Sequence, residues 1–197
     1  MTDEIAPQIA LWDREAETFD EAADHGLADP TCRAAWRELL LEALPPAPAR
    51  VADLGCGTGT LSRLLAEEGY TVTGVDFSPE MVRRARAKAG SLAEFVVGDA
   101  ASPPLEPAAH DVVLSRHVLW AMPSPAAALA RWIDLLAPGG RLVLVEGSWS
   151  TGAGLTAEET VALVEAAGRE ARLRRMPEPV FWGGPVSDDR YLVVSGP

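Results

Sequence analysis

The stretch Val51-Ala52-Asp53-Leu54-Gly55-Cys56-Gly57-Thr58-Gly59-Thr60 decides how the rest of the chain is read. Residues 51–54 predict a short buried strand, 55–59 a glycine turn and 60–68 a helix. Glycine in such a turn admits positive φ and lets a ligand come into contact with the backbone. The spacing is G-x-G-x-G, with Thr60 where the dinucleotide-binding G-x-G-x-x-G would place its last glycine. Asp53 stands two residues before the first glycine. A carboxylate there repels a pyrophosphate and is compatible with a ligand bearing an ammonium or sulfonium group.

Outward from this turn the rhythm is strand and helix in alternation. Residues 71–75 predict a strand ending in Asp76, 79–89 a helix capped by Ser78, and 94–97 a third strand followed by Asp99. A fourth strand is expected at 111–114, a helix at 125–136 stopped by Pro138-Gly139-Gly140, and a fifth strand at 141–146. A helix at 156–167 and strands at 171–174 and 190–194 follow. This is a doubly wound α/β fold with its ligand crevice at the carboxyl ends of the strands. Before it, helices are expected at 5–20 and 30–44, the second stopped by Pro45-Pro46-Ala47-Pro48. The organisation expected is one domain over 1–197, with a helical cap at 1–48 and the α/β core at 49–197.

Composition agrees. The 197 residues are 48% apolar and 23% charged, which excludes the disordered and collagen-like classes. With 17 Lys and Arg against 29 Asp and Glu, the net charge of −12 opposes binding to nucleic acid. Cys32 and Cys56 form no CxxC pair, which points to a reducing compartment and no cysteine zinc site. No apolar run approaches the roughly 18 residues of a membrane span. The acidic start Met1-Thr2-Asp3-Glu4 lacks the features of a signal peptide, so a cytoplasmic protein without a membrane partner is expected.

Acids at three successive strand ends carry more than any one of them alone. Asp76 is placed to accept bonds from the two hydroxyls of an adenosine ribose, with Phe77 against the purine. Asp99 suits an adenine amino group, with a backbone N–H beside it addressing the ring. Capping of a helix or turn explains a single acid and explains the ordered set poorly.

Four segments in order, Asp53-Leu-Gly55-Cys-Gly57-Thr-Gly59, Val75-Asp76-Phe77-Ser78-Pro79-Glu80-Met81, Gly98-Asp99-Ala100 and Leu136-Ala-Pro138-Gly139-Gly140-Arg141-Leu142, resemble the motifs of class I S-adenosylmethionine-dependent methyltransferases. Within that class the chain is most similar to the small-molecule branch that includes the ubiquinone and menaquinone-biosynthesis enzymes. The resemblance covers about residues 51–147. It implies a Rossmann-like seven-stranded sheet, mostly parallel with an antiparallel last strand, preceded by two helices. It also implies S-adenosyl-L-methionine as cofactor, with Gly55 and Gly57 lining its methionine part and Asp53 near its amino group. Asp76 would hold the ribose, and Asp99 with Ala100 the adenine. Cys56, Phe77, Met81 and Ser115 complete the expected cofactor contacts.

On the acceptor side the same topology would gather Arg116, His117 and Trp120, then Glu146 and Trp149, then Phe181 and Trp182. Aromatic side chains in a concave site suit a flat or cationic small molecule, although each tryptophan also fits a core at the sheet edge. His117 is the expected general base, with a structural histidine or purely positional catalysis as alternatives. His25 reads as helix-end packing, the alternative being a side chain that swings over the site, and His110 lies at the amino end of strand four, far from the chemistry. Trp12 and Phe19 read most economically as a core stripe, the alternative being a lid that brings Trp12 onto the acceptor. Ser115-Arg116-His117-Val118 replaces the Asn/Asp-Pro-Pro-Tyr/Phe of amino-methylating enzymes. No metal is expected, a His117/Glu146/His25 set being the arrangement left open. The function expected is methyl transfer to an O or N atom, less readily C, of a small aromatic or cationic molecule. The alternatives are an NAD(P) oxidoreductase and a non-catalytic S-adenosylmethionine-binding protein. Cover for the site would come from the amino-terminal helices, the 176–189 loop or a second subunit in a homodimer.

Overall fold

The computed structural model describes residues 5–196. Seven strands form one sheet in the order β3-β2-β1-β4-β5-β7-β6. They are β1 (Arg50–Leu54), β2 (Thr71–Asp76), β3 (Glu94–Val97), β4 (His110–Arg116), β5 (Leu136–Ser148), β6 (Ala171–Arg175) and β7 (Asp189–Ser195). The pairs from β3 through β5 are parallel, and β7 runs antiparallel to both β5 and β6. The sheet is therefore the expected one, including its reversed last strand.

Both faces of the central strands are covered, which is why their sequences read as unbroken apolar runs. In β5, Val143 and Val145 join the cluster that contains Trp36, Leu39 and Leu40 of helix α3 (Pro30–Ala43) and Leu61, Leu64 and Leu65 of α4 (Thr60–Glu67). Leu142 and Leu144 point the other way, to Leu129 and Trp132 of α6 (Pro125–Asp134) and Val164 of α7 (Ala157–Ala166). This period of two fixes the register, because a slip by one residue would exchange the two faces. Helix α5 (Pro79–Ala89) begins as expected, the Ser78 hydroxyl accepting from the Met81 N–H.

Three local expectations are corrected. The first helix, α1 (Ala6–Glu15), is shorter than 5–20 and has no buried residue, so Trp12 and Phe19 form no core stripe. The chain instead turns through a 3-10 segment, Phe19–Glu21, into a four-residue helix α2 (Ala23–Gly26) that the sequence pattern did not indicate. Finally, Pro138-Gly139-Gly140 lies inside a 13-residue β5, at the irregular pairing between His110 and Val112, and α6 already ends at Asp134. Among the described amino-terminal residues, helix α3 packs into the core, and residues between Ile5 and His25 line the crevice.

Polar latches hold that segment down. Asp13 of α1 accepts from the Ser78 hydroxyl at 2.5 Å and from the Glu80 N–H at 3.1 Å, at the start of α5. Asp20 accepts from the Thr58 hydroxyl at 2.5 Å and pairs with Lys88 at 2.7 Å. Among the described residues, no helix is long and apolar enough to cross a membrane.

Candidate active site

A cavity of about 900 Å³ opens where the carboxyl ends of β1, β2 and β4 meet the amino-terminal segment. At one end it is lined by Asp53, Gly55, Cys56, Gly57, Asp76 and Phe77, with Met81, Asp99 and Ala100 beyond. The glycine loop is tied by its own backbone: the N–H groups of Gly55 and Cys56 donate to the Val75 carbonyl at 2.8 and 3.0 Å. The Gly57 N–H donates to Asp76 at 2.9 Å, and the other Asp76 oxygen accepts from the Ser78 N–H. Gly55 has φ +71, and a Cβ there would lie 2.3 Å from Val118. Because these N–H groups are already used, the loop has few donors left for a pyrophosphate, and Asp53 and Asp76 add charge repulsion.

The acids fit a cationic, hydroxyl-rich ligand. Asp53 is buried, receives the Ser62 hydroxyl at 2.5 Å, and is pushed by burial to about 6. An ammonium or sulfonium beside it would relieve that burial cost. Burial also raises the Asp76 carboxyl, against the two backbone N–H bonds that lower it. Asp99 accepts from the Ala101 N–H at 2.8 Å and still borders the cavity. The Cys56 thiol is pushed far up by burial and by Asp53 and Asp76, which makes it inert.

Asp24, His25, Arg116, His117, Trp120, Trp149 and Arg190 line the rest of it, and Trp12 borders it from α1 beside Phe19. Their contacts are mutual. Arg116 donates to the Asp24 carbonyl and lies 5.3 Å from the Trp36 ring centre. Arg190 lies over Trp182 at 4.5 Å and pairs with Asp24 at 3.5 Å and Asp188 at 3.6 Å. His117 has φ +59, a conformation uncommon outside glycine and more often adopted by Asn, Asp and His. Its ring stands edge-on to Trp149, with centroids 5.2 Å apart, and stacks on Trp182 at 6.1 Å.

Four of the expected site residues do not line the cavity. Ser115 is buried and gives its hydroxyl to the Leu54 carbonyl at 3.1 Å, so it ties β4 to β1. Glu146 is also buried, and its carboxylate accepts from the Val118 and Leu119 N–H groups at 3.0 and 2.7 Å. It braces the turn that follows His117, and burial raises it to about 8. Trp182 packs edge-on against Trp36 and donates to the Met176 carbonyl, forming the floor beneath His117 and Arg190. Phe181 is likewise core, its carbonyl accepting from the Trp36 indole. The 176–189 loop thus supports the cavity wall, and α1, the 3-10 segment and α2 provide the cover.

The sequence reading missed Asp24 and Arg190 as site residues and, of its two readings of His25, preferred helix-end packing to a place over the site. Only the tertiary fold brings them together: one ligand atom each from Asp24, His25 and His117 lies within 4.8 Å of the others. That donor set could hold a divalent ion, but Arg116 and Arg190 oppose it. Together with burial, the same two guanidiniums push the His117 imidazole well below its ordinary range, disfavouring any added positive charge there.

The methyltransferase-domain family model matches residues 52–144. Among curated relatives, the trans-aconitate 2-methyltransferase of Streptomyces avermitilis is 44% identical over 107 residues, 50% of this chain and 39% of that protein. The demethylmenaquinone methyltransferase of Renibacterium salmoninarum is 33% identical over 150 residues, 76% of this chain and 61% of that protein. The chain thus spans less than two thirds of the length of these relatives. Among solved structures, the magnesium protoporphyrin IX methyltransferase of Synechocystis with bound SAH has a TM-score of 0.66 at 20% identity, covering 83% of this chain and 80% of that one. The cyclase SpnF reaches 0.71 at 21% identity, covering 82% and 79%. At those identities the structural likeness establishes the fold alone. Residues 52–144 thus match the methyltransferase-domain family, and they lie on a seven-stranded sheet with the fold of these methyltransferase structures.

Proposed function

We propose that this chain transfers a methyl group from S-adenosylmethionine to an oxygen or nitrogen of a small acceptor. The observation that carries the reading is the continuity of the cavity: three strand-end acids and a spent glycine loop at one end, an enclosed aromatic and polar chamber at the other. Its volume of about 900 Å³ lies in the range of cofactor-sized sites. S-adenosylmethionine supplies an electrophilic methyl carbon on a sulfonium.

The chain's own residues bind, orient and exclude water. Asp53 takes the ammonium of the methionine part, Asp76 the ribose hydroxyls, and Asp99 with Ala100 the adenine edge, with Phe77 and Met81 packing on the ring. Gly55 and Gly57 leave room for the methionine chain beside Cys56. At the acceptor end Trp120 and Trp149, with ring centroids 5.4 Å apart, flank a flat molecule, and Trp12 covers it from α1. The guanidiniums of Arg116 and Arg190 line this end of the cavity and carry positive charge into it. An aromatic, uncharged acceptor is therefore better accommodated than a cationic one. His117 acts as a neutral wall and hydrogen-bonding group, since an imidazolium there would face both guanidiniums.

Calorimetry with S-adenosylmethionine and S-adenosylhomocysteine, beside NADH and NADPH, tests the cofactor half. Binding of the adenosyl ligands and not the nicotinamides is expected. The opposite pattern would return the glycine loop to a dinucleotide. A screen of phenols and amines, read as S-adenosylhomocysteine formed, then tests turnover against a protein that only binds the cofactor.

A further inference from the structure

Transfer to an O–H or N–H acceptor leaves a proton to be placed, and the residue first expected to take it, His117, is poorly suited. Its Nε2 is buried without a hydrogen-bond partner, and its ring lies beside Arg116 and Arg190. From the geometry of the amino-terminal segment we infer that His25, backed by Asp24, is the group that accepts the acceptor's proton. This rests on the methyl-transfer reading above.

Four observations converge on His25. It lines the acceptor end of the cavity, with its side chain 29% exposed. Its Nδ1 lies 3.2 Å from the Phe19 carbonyl oxygen, which can only accept, so Nδ1 carries the ring proton and Nε2 is left with the lone pair. Nε2 lies 3.8 Å from Asp24 Oδ2, a separation that becomes an ion pair once Nε2 is protonated. The His25 ring stacks on Phe19, with centroids 4.2 Å apart and planes at 16°. Phe19 in turn lies 3.2 Å from where a Cβ on Gly57 would sit, which stations the imidazole over the glycine loop.

The charges that face His25 are Asp24 from its own helix, Arg116 and His117 from the end of β4, and Arg190 from β7. Burial, Arg116 and Arg190 lower its pKa and Asp24 and the Phe19 carbonyl raise it, with the net direction down, so the ring is neutral at neutral pH, and unlike His117 it has a carboxylate beside it to offset the guanidiniums. A base oriented through Nδ1, with a carboxylate 3.8 Å from Nε2 to pair with the ring once it is protonated, has the orientation and charge partner that favour general-base catalysis. In the step, the acceptor oxygen or nitrogen bonds to the methyl carbon as the carbon–sulfur bond breaks. The acceptor's proton passes to Nε2, the sulfur leaves as the neutral thioether of S-adenosylhomocysteine, and the positive charge ends on the imidazolium beside Asp24. Asp24 is a positioning residue, held in turn by Arg190.

The test uses the whole protein, with ¹⁵N-labelled histidine, alone and with S-adenosylhomocysteine. NMR of the His25 ring, assigned by its loss in His25→Asn, should give the Nδ1-protonated tautomer. Asp24→Asn should lower its titration midpoint by about one pH unit. His25→Asn and His25→Gln should bind S-adenosylhomocysteine within about twofold of wild type and lose about 100-fold in kcat with a phenol or amine acceptor, the deficit shrinking as pH approaches the acceptor's own pKa. An Nε2-protonated ring, a midpoint indifferent to Asp24→Asn, or an unchanged pH profile would overturn the assignment. Failure of wild type to bind S-adenosylhomocysteine would instead overturn the methyl-transfer reading, and the tautomer measured on the free protein keeps the two results apart.

Discussion

At one end of the cavity Asp53, Asp76 and Asp99 come from three neighbouring strand ends, and each is held by bonds to residues close by in the same fold layer. At the other end Asp24 and Arg190 meet across 166 positions of chain, through a segment whose first helix buries nothing. The cofactor end is thus organised by the sheet itself, and would persist if the cover opened. The acceptor end exists only while the segment before α3 is docked, because Asp24 and His25 arrive with it. A binding surface assembled by the rigid core and a reacting chamber completed by a polar latch are separable in principle, and four substitutions put pressure on that contrast.

The largest effect is expected from Asp76→Ala, which removes the acceptor for both the Gly57 and Ser78 N–H groups as well as the group assigned to the ribose. S-adenosylhomocysteine affinity should fall by about 100-fold in calorimetry, with Asp76→Asn intermediate. Unchanged affinity would mean that the cofactor end is not organised by this acid. Next is Glu146. Burial raises its pKa from 4.5 to about 8, so the native state holds a proton that the unfolded chain releases. Its contribution to stability is complete below the unfolded value and is lost as pH rises through about 8. Glu146→Gln keeps an acceptor for Val118 and Leu119 and cannot ionise. It should match wild type near pH 5 and be more stable by about 2 kcal/mol near pH 9. A parallel pH dependence in both proteins, followed by urea unfolding, would remove Glu146 as the buried acid.

Asp53 sets the third expectation. With its carboxyl at about 6, affinity for S-adenosylmethionine should fall by about tenfold as pH drops through that value, and Asp53→Asn should flatten the profile at the lower level. The smallest effect belongs to the latch. Asp13→Ala releases the Ser78 hydroxyl and the Glu80 N–H, at a cost of about 1 kcal/mol. Amide exchange should quicken over residues 6–26 while β1, β4 and β5 stay protected. If exchange quickened evenly through the sheet, the cover and core would be one cooperative unit and the contrast between the two ends would fail.

Much of the sheet could be read from the chain because its signals are local. Val51 to Leu54, the glycines after them and Asp76 sit within one strand-turn-helix repeat, where backbone period and glycine φ leave few alternatives. The amino-terminal segment gave a misleading signal for a physical reason. Ile9, Trp12, Ala16 and Phe19 fall at helical spacing, but the helix stops at Glu15, Ala16 alone of the four is buried, and the aromatics turn toward a cavity. Periodicity reports an apolar face and not what that face meets. Glu146 and Trp182 were placed at the correct edge of the sheet and at the wrong depth, since strand position predicts which end a residue occupies and not whether a neighbour lies above it.

The alternation of strands and helices, the glycine loop and the acids at three strand ends were legible in the sequence alone, because each depends on residues close along the chain, whereas the strand order rests on distant pairings such as β1 with β4 and β5 with β7. Which histidines line the cavity, and what charge surrounds them, was decided only by the tertiary structure. Asp24, His25, Arg116 and Arg190 carry no shared local pattern, and their electrostatic effect depends on distances that arise only when the cover folds over the strand ends.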